Sequence, residues 1–250
     1  MNLTSKGTNP VNYIHNPEIH NFSAAKQILP FLLSLKPVDS VLDVGCGTGT
    51  WLKIASDLGV KEVLGIDGVP LNTNELHIPA DSFINDDLTR VIDLKRKFDL
   101  LICLEVAEHL PAENAKNLVD SLTNHSDFIV FSAAIPGQGG QNHINEQWPV
   151  YWQTLFFNKG YYPCEILRDI FWNDNEIEWW YRQNILIFAP ESVLLNLNLT
   201  ISKEVRPLIH PDLFIEKLDV IQKLNNMIER EIWKPSFKSA FKRLIKSIIN

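Results

Sequence analysis

From about residue 18 to residue 190, short apolar runs alternate with amphipathic stretches. That is the pattern of a largely parallel sheet covered by helices. Strands are predicted at Ser40–Val44, Glu62–Asp67, Ser82–Asp86, Phe98–Leu104, Phe128–Ala133, Tyr161–Asp169 and Gln183–Ala189. The run FDLLICL at 98–104 is almost continuously apolar, as a central parallel strand buried on both faces must be. Helices are predicted at Ser23–Leu35, interrupted or kinked at Pro30, and at Thr50–Leu58, Ala112–Leu122 and Trp148–Asn158. Pro190 closes this region, and Val193–Asn250 carries no strand signal and reads as mostly helical.

The chain of 250 residues is long enough for one α/β domain and an appendage. The expected division is a helical N-terminal cap (1–38), the α/β domain (39–190) and a helical extension (191–250). The net charge of −7 disfavours a general nucleic-acid binder. Residues 1–190 hold 13 Lys and Arg against 23 Asp and Glu, whereas residues 191–250 hold 10 against 7, so the extension is basic. Cys46, Cys103 and Cys164 form no CxxC pair, which argues against a zinc site or a disulfide framework. With no signal-peptide pattern and no membrane-length apolar run, the expected location is cytoplasmic.

Chemistry enters at Val41-Leu42-Asp43-Val44-Gly45-Cys46-Gly47-Thr48-Gly49-Thr50, on the turn from the first strand into a helix. A strand that turns at once beside a ligand needs residues without a Cβ. The spacing is GxGxG. A dinucleotide fingerprint would require glycine where Thr50 stands, so the turn suits a nucleoside joined to an amino acid without a pyrophosphate. Asp67 ends the second strand, 18 residues after Gly49, where a carboxylate can accept hydrogen bonds from a ribose diol. Asp86-Asp87 follow the third strand, where a carboxylate can accept the exocyclic amine of adenine. The fourth strand leads into Leu104-Glu105. All lie at carboxyl ends of strands, the edge at which open α/β sheets bind ligands.

The series VLDVGCGTG, LGID, NDDL and FDLLICLEVAEHL resembles class I S-adenosylmethionine-dependent methyltransferases in order and spacing. The resemblance covers roughly residues 39–190. It implies a Rossmann-like fold with a mainly parallel seven-stranded sheet and S-adenosylmethionine as cofactor. It further implies that Gly45, Gly47 and Gly49 line the methionine portion and that Asp43 orients the turn. Asp67 would take the ribose, Asp87 (with Asp86 as second choice) the adenine, and the backbone near Leu104 the cofactor's amino group.

A helix starting at Glu105 would put Glu105, Glu108 and His109 on one face, at i, i+3 and i+4. Two carboxylates and an imidazole suit a divalent cation such as Mg²⁺. The ExxEH pattern resembles the metal-binding motif of small-RNA 2′-O-methyltransferases and of quinone-biosynthesis O-methyltransferases. In the first group a downstream histidine completes the site, a part that His143 can take here. The same pattern also occurs in methyltransferases that bind no metal, and His109 or His143 is then the natural general base, beside Glu105.

The stretch IPGQGGQNHINEQWP offers glycines for close backbone approach and many hydrogen-bonding side chains, which suit a polyhydroxylated acceptor. Phe171–Arg182 (FWNDNEIEWWYR), with Trp148 and Trp152, supplies aromatics that can stack on sugar faces or pack on the sheet. Together these stretches resemble bacterial methyltransferases of surface-glycan assembly. The expected activity is O-methylation of a sugar or similar small molecule in polysaccharide biosynthesis, with a glycan or small-molecule acceptor and no nucleic acid. The alternatives are N-methylation of an amino sugar and a non-catalytic cofactor-binding partner in a glycan-assembly complex. In Lys234–Asn250, Phe237, Phe241, Leu244, Ile245 and Ile248 form one helical stripe flanked by Lys238, Lys242, Arg243 and Lys246. Such a stripe can lie on an anionic membrane or dock on protein, and docking is the expectation.

Overall fold

The computed structural model describes Tyr13, residues 21–232, Ser239, Phe241, Lys242 and residues 244–246. Its strands are β1 (Ser40–Val44), β2 (Glu62–Asp67), β3 (Phe83–Asn85), β4 (Leu100–Leu104), β5 (Ile129–Ser132), β6 (Tyr161–Cys164) and β7 (Leu186–Pro190). They form one sheet in the order β3-β2-β1-β4-β5-β7-β6. Every pairing is parallel except those of β7, which runs antiparallel to both β5 and β6. The fold is Rossmann-like and mainly parallel, as the sequence pattern predicts.

The two-residue period of a strand explains the layering. Leu100, Ile102 and Leu104 face a core that includes Ile28, Leu29 and Leu32 of α1 (Ser23–Leu35) and Leu52 and Ala55 of α2 (Thr50–Asp57). Leu101 and Cys103 face the opposite core, with Leu118 and Leu122 of α3 (Ala115–His125) and Trp152 and Phe156 of α4 (Pro149–Phe157). The first helix runs through Pro30 without ending there. Its buried face, anchored by Ala25, Ile28, Leu29 and Leu32, outweighs the one lost backbone donor.

Three expectations change. The predicted strand 98–104 starts at Leu100, because the Asp99 carboxylate is turned back to the N–H groups of Asp39 and Ser40, at 3.0 and 2.9 Å. The predicted strand 161–169 ends at Cys164. Beyond it α5 (Ile166–Phe171) forms, with Arg168 buried against Glu165 at 3.1 Å. The predicted strand 183–189 starts at Leu186, since Gln183 and Asn184 belong to α6 (Trp179–Asn184).

The chain divides into two compact units, Met1–Leu208 and Ile209–Asn250, so contacts do not thin out at residue 190. After β7, α7 (Glu191–Asn196) and the following segment bury Leu194, Leu199 and Val205 in the cores of the first unit. Arg206 adds ion pairs to Glu165 and Asp169, at 3.0 and 2.5 Å. The second unit contains α8 (Pro211–Ile232), on which Phe214, Leu218, Ile221, Leu224 and Ile228 are exposed. Of the predicted tail stripe and its flanking basic residues, Phe241, Leu244 and Ile245 are exposed, while Phe237, Ile248, Lys238 and Arg243 lie outside the described residues. Among the described residues no helix is long and apolar enough to cross a membrane. All three cysteines are buried and unpaired.

Candidate active site

The carboxyl ends of β1, β2 and β4 meet at the glycine turn. Gly45, Gly47 and Gly49 have φ of +83°, +51° and +83°, in the left-handed region that favours glycine. Gly45 is also sterically pinned: a Cβ there would lie 2.2 Å from Cγ2 of Val106. The Val106 side chain, which follows β4, therefore packs directly on the glycine turn and holds it against that end of the strand. Asp67 ends β2, buried, and its two oxygens accept the N–H groups of Gly47 and Val69, each at 2.7 Å. Asp43 is buried at the end of β1, where desolvation and then the Asp67 carboxylate push its pKa well up.

Asp86 and Asp87 follow β3. The Asp87 carboxylate caps a local turn, accepting the N–H and hydroxyl of Thr89 at 3.0 and 2.7 Å, and Arg90 pairs with both aspartates at 3.4 Å. The Asp86 N–H donates to the carbonyl of Asp67 at 3.1 Å, which places this pair beside the end of β2. Leu104 ends β4, buried. The positions named from the sequence as a cofactor cradle thus line one sheet edge.

The ExxEH segment is not the helix that its spacing suggested. Glu105 adopts φ +54°, and only Ala107–His109 form a single 3-10 turn before Leu110 becomes extended. A residue in the left-handed region cannot begin an α-helix, and Pro111 disfavours helical backbone at Leu110. The turn still gathers three of the four predicted ligands. Glu108, His109 and His143 have potential ligand atoms all within 4.8 Å of one another. Glu105 stands outside that trio. Its carboxylate is held by the amides of Gln138 at 2.8 Å and Asn184 at 3.1 Å, and its N–H by Ser132. Burial raises the pKa of Glu105. Burial and then the neighbouring Glu105 raise that of Glu108 well above the ordinary carboxylate range. Neither Glu108 oxygen has a hydrogen bond of good geometry, although the residue is fully buried.

The loop after β5 reaches this turn through its backbone: the N–H groups of Ile144 and Asn145 donate to the Glu108 carbonyl at 2.9 and 3.0 Å. That contact brings the His143 ring to 4.9 Å from the His109 ring, edge to face. Glu146 then fixes both loop and imidazole. It accepts the N–H groups of Gly137 and Gly139 at 2.7 Å each and contacts Nδ1 of His143 at 3.0 Å. A carboxylate on one ring nitrogen orients an imidazole and directs its chemistry to the other.

Several contributors were not singled out from the sequence. In the sequence Glu146 is one hydrogen-bonding side chain among several in its loop. Gln183 and Asn184 were assigned to a strand, yet they form a buried amide network with Gln138, with Asn184 donating to Gln138 Oε1 at 2.9 Å. Tyr13 sits edge-on to His109 with ring centroids 4.9 Å apart. Burial, followed by the carboxylates of Glu108, Asp67 and Glu105, pushes its phenol up to about 12.

Residues 18–134 match the family model of a methyltransferase domain. Over that stretch, just under half of its length, the chain is similar to a methyltransferase domain. Two solved structures of magnesium protoporphyrin IX methyltransferase from Synechocystis PCC 6803 share the fold. The one with bound S-adenosylmethionine is 19% identical, covers 74% of this chain and 87% of its own, and has a TM-score of 0.50. The one with bound S-adenosylhomocysteine is 18% identical, covers 72% and 90%, and has a TM-score of 0.52. The plantazolicin methyltransferase BpumL, in complex with S-adenosylhomocysteine, is 17% identical over 70% of this chain and 86% of its own, with a TM-score of 0.49. No curated protein sequence matches the chain. The family match spans the glycine turn, Asp67, Asp86, Asp87 and the ExxEH turn, and it stops one residue before the loop that starts at Ile135.

Proposed function

We propose that the chain is an S-adenosylmethionine-dependent methyltransferase that O-methylates a sugar or another polyhydroxylated small molecule in glycan biosynthesis, in a cytoplasmic setting that suits its three unpaired thiols. The observation that carries this reading is the Glu146-oriented His143, beside His109 and Glu108, directly past the end of β4. An alcohol is a poor nucleophile until its proton has somewhere to go, and this is a proton acceptor at the cofactor's edge of the sheet. The amides of the 136–147 loop suit a hydroxyl-rich acceptor better than an apolar one.

In this reading Gly45, Gly47 and Gly49 bear the methionine part of S-adenosylmethionine, Asp67 takes the ribose, and Asp87 or Asp86 takes the adenine. Bound there, the cofactor supplies a methyl group activated on a positively charged sulfur. The chain's residues align the acceptor and exclude water. His143, held through Nδ1, takes the acceptor's proton at Nε2 as the new bond to oxygen forms. Asp67→Ala is expected to weaken S-adenosylhomocysteine binding by about 1.5–3 kcal/mol, the range for hydrogen bonds to a charged group. Unchanged affinity by calorimetry would leave Asp67 with the turn alone.

As the alternative to a free imidazole base, the buried carboxylate of Glu108 beside two imidazoles fits a divalent cation held by Glu108, His109 and His143, in which case Nε2 of His143 is a ligand and takes no proton. Such an ion would acidify a hydroxyl brought to it. Two nitrogen ligands and one oxygen favour Mn²⁺ or Zn²⁺ over Mg²⁺. Glu108→Gln is expected to abolish that binding and, in metal-free buffer, to stabilise the fold. The raised carboxylate contributes stability only below its unfolded value, roughly pH 4.3, and loses it as pH climbs toward the folded value. The variant's gain in Tm should be absent at pH 4 and grow towards pH 7, by about 2–4 °C for each kcal/mol at this chain length. A Tm difference that does not change with pH would contradict the assignment of Glu108.

The deciding experiment is a methyl-transfer screen on nucleotide sugars and glycan fragments, with and without EDTA. Transfer to hydroxyls supports the reading, and loss of transfer with EDTA supports the cation. Transfer confined to amino sugars replaces it with N-methylation. Cofactor binding with no transfer to any acceptor favours a non-catalytic partner.

A further inference from the structure

Helix α8 runs for 22 residues, roughly 33 Å at 1.5 Å per residue. Along it, Phe214, Leu218, Ile221, Ile228 and Ile232 recur at alternating steps of four and three, and Asn225 fills the one remaining place. That is the a/d pattern of a coiled-coil seam, with Leu218, Asn225 and Ile232 at a and Phe214, Ile221 and Ile228 at d. The charged Glu216, Lys223 and Arg230 fall at f, on the opposite side. The five apolar seam residues are each 45–59% exposed, and Asn225 is exposed with them. Leu213, at c, is buried, so what fixes the start of the helix lies off the seam.

We propose that α8 is a self-association element, through which the chain pairs with a second copy of itself, helix parallel to helix, with Asn225 facing Asn225. The amide selects that partner. Against an apolar surface it would lose its water and find nothing to bond, whereas the same amide on a second copy offers both a donor and an acceptor. In an antiparallel pair an a residue meets a d residue, which would set Asn225 against isoleucine. The area also suffices: the half-exposed seams of two copies bring together on the order of 10³ Å² of apolar surface, the scale of a specific interface. Charge disfavours the other surface that an amphipathic helix can take. α8 holds five Asp and Glu against three Lys and Arg, where an anionic membrane calls for a basic helix. Leu at a with Ile at d favours three or four strands by itself, and a single buried Asn holds such a seam to one register and number at a cost in stability.

Sedimentation of the full-length wild type, Ile221→Glu, Leu218→Glu and Asn225→Ile tests this, at concentrations up to about 100 µM. None of these residues belongs to the candidate active site, and mass is read whether or not methyl is transferred. The wild type is expected to reach twice the chain mass. Ile221→Glu and Leu218→Glu should stay at one chain mass, with a circular dichroism spectrum showing the fold intact. Asn225→Ile should pass to three or four copies, because the apolar seam is then free of the amide. A wild type that stays monomeric throughout overturns the proposal, and co-sedimentation of that monomer with phosphatidylcholine–phosphatidylserine vesicles would assign the face to lipid. A dimer unmoved by both glutamate variants overturns it as well, since the contact then lies elsewhere. If Asn225→Ile remains a dimer of unchanged affinity, the amide does not face its counterpart and the parallel pairing falls.

Discussion

Gly45→Ala is expected to abolish measurable S-adenosylhomocysteine binding, with an affinity loss beyond about a hundredfold, the cost of some 3 kcal/mol. Two independent penalties meet at this residue. Its φ of +83° costs a side-chain-bearing residue about 1–2 kcal/mol. The added methyl would also lie 2.2 Å from Cγ2 and 2.9 Å from Cγ1 of Val106, a buried residue with little room to withdraw. Relief requires moving the glycine turn off the Val106 side chain, and the turn is the part that would bear the cofactor. Gly137→Ala separates the effects. Gly137 has nearly the same φ, +84°, but a methyl there meets nothing within 4 Å. It should lose only the conformational part, about 1–2 kcal/mol of stability, and keep cofactor affinity. Near-wild-type binding by Gly45→Ala would mean that the glycine turn does not carry the cofactor.

The second large effect is expected at His143. His143→Ala should lower methyl transfer by about 10²–10⁴-fold, the usual worth of a positioned acid–base group. Cofactor affinity should stay, since the imidazole meets Glu146 and His109 and is not part of the glycine turn. Glu146→Ala should cost less chemically but more in order, because its carboxylate also secures the Gly137 and Gly139 amides. A weaker rate with a shifted pH profile is the signature of an imidazole that has lost its orienting partner. Full transfer by His143→Ala, with the acceptor found in the screen, would move the base to His109.

The sheet, and the edge on which Gly45, Gly47, Gly49 and Asp67 meet, are legible in the sequence because each feature is local. A glycine at a left-handed turn and a carboxylate at a strand end are written within a few adjacent residues, as at Gly45 and Asp67. The ExxEH residues are legible in the sequence, but the expected helix gives way to a single 3-10 turn, since nothing adjacent to Glu105 announces a left-handed backbone. That conformation is paid for at a distance, by Ser132 on β5, Gln138 in the loop and Asn184 in α6. Asn184 itself was assigned to a strand because QNILIFA is apolar enough to extend backwards from β7. Tyr13 gave no signal at all: a lone tyrosine in a polar segment becomes part of a site only through folding that sets it on His109.

The cysteines supply a clock for how the domain opens. Cys46 lies in the glycine turn, Cys103 in central strand β4 and Cys164 in edge strand β6, and burial pushes all three thiols up in pKa. A buried, protonated thiol does not react with an alkylating reagent, so each becomes labelled only when its own part of the sheet separates. Timed alkylation read by mass spectrometry would therefore follow edge, turn and centre as three separate channels, with no added probe. If cofactor secures the glycine turn, Cys46 alone should slow when S-adenosylhomocysteine is present, while Cys164 keeps its pace.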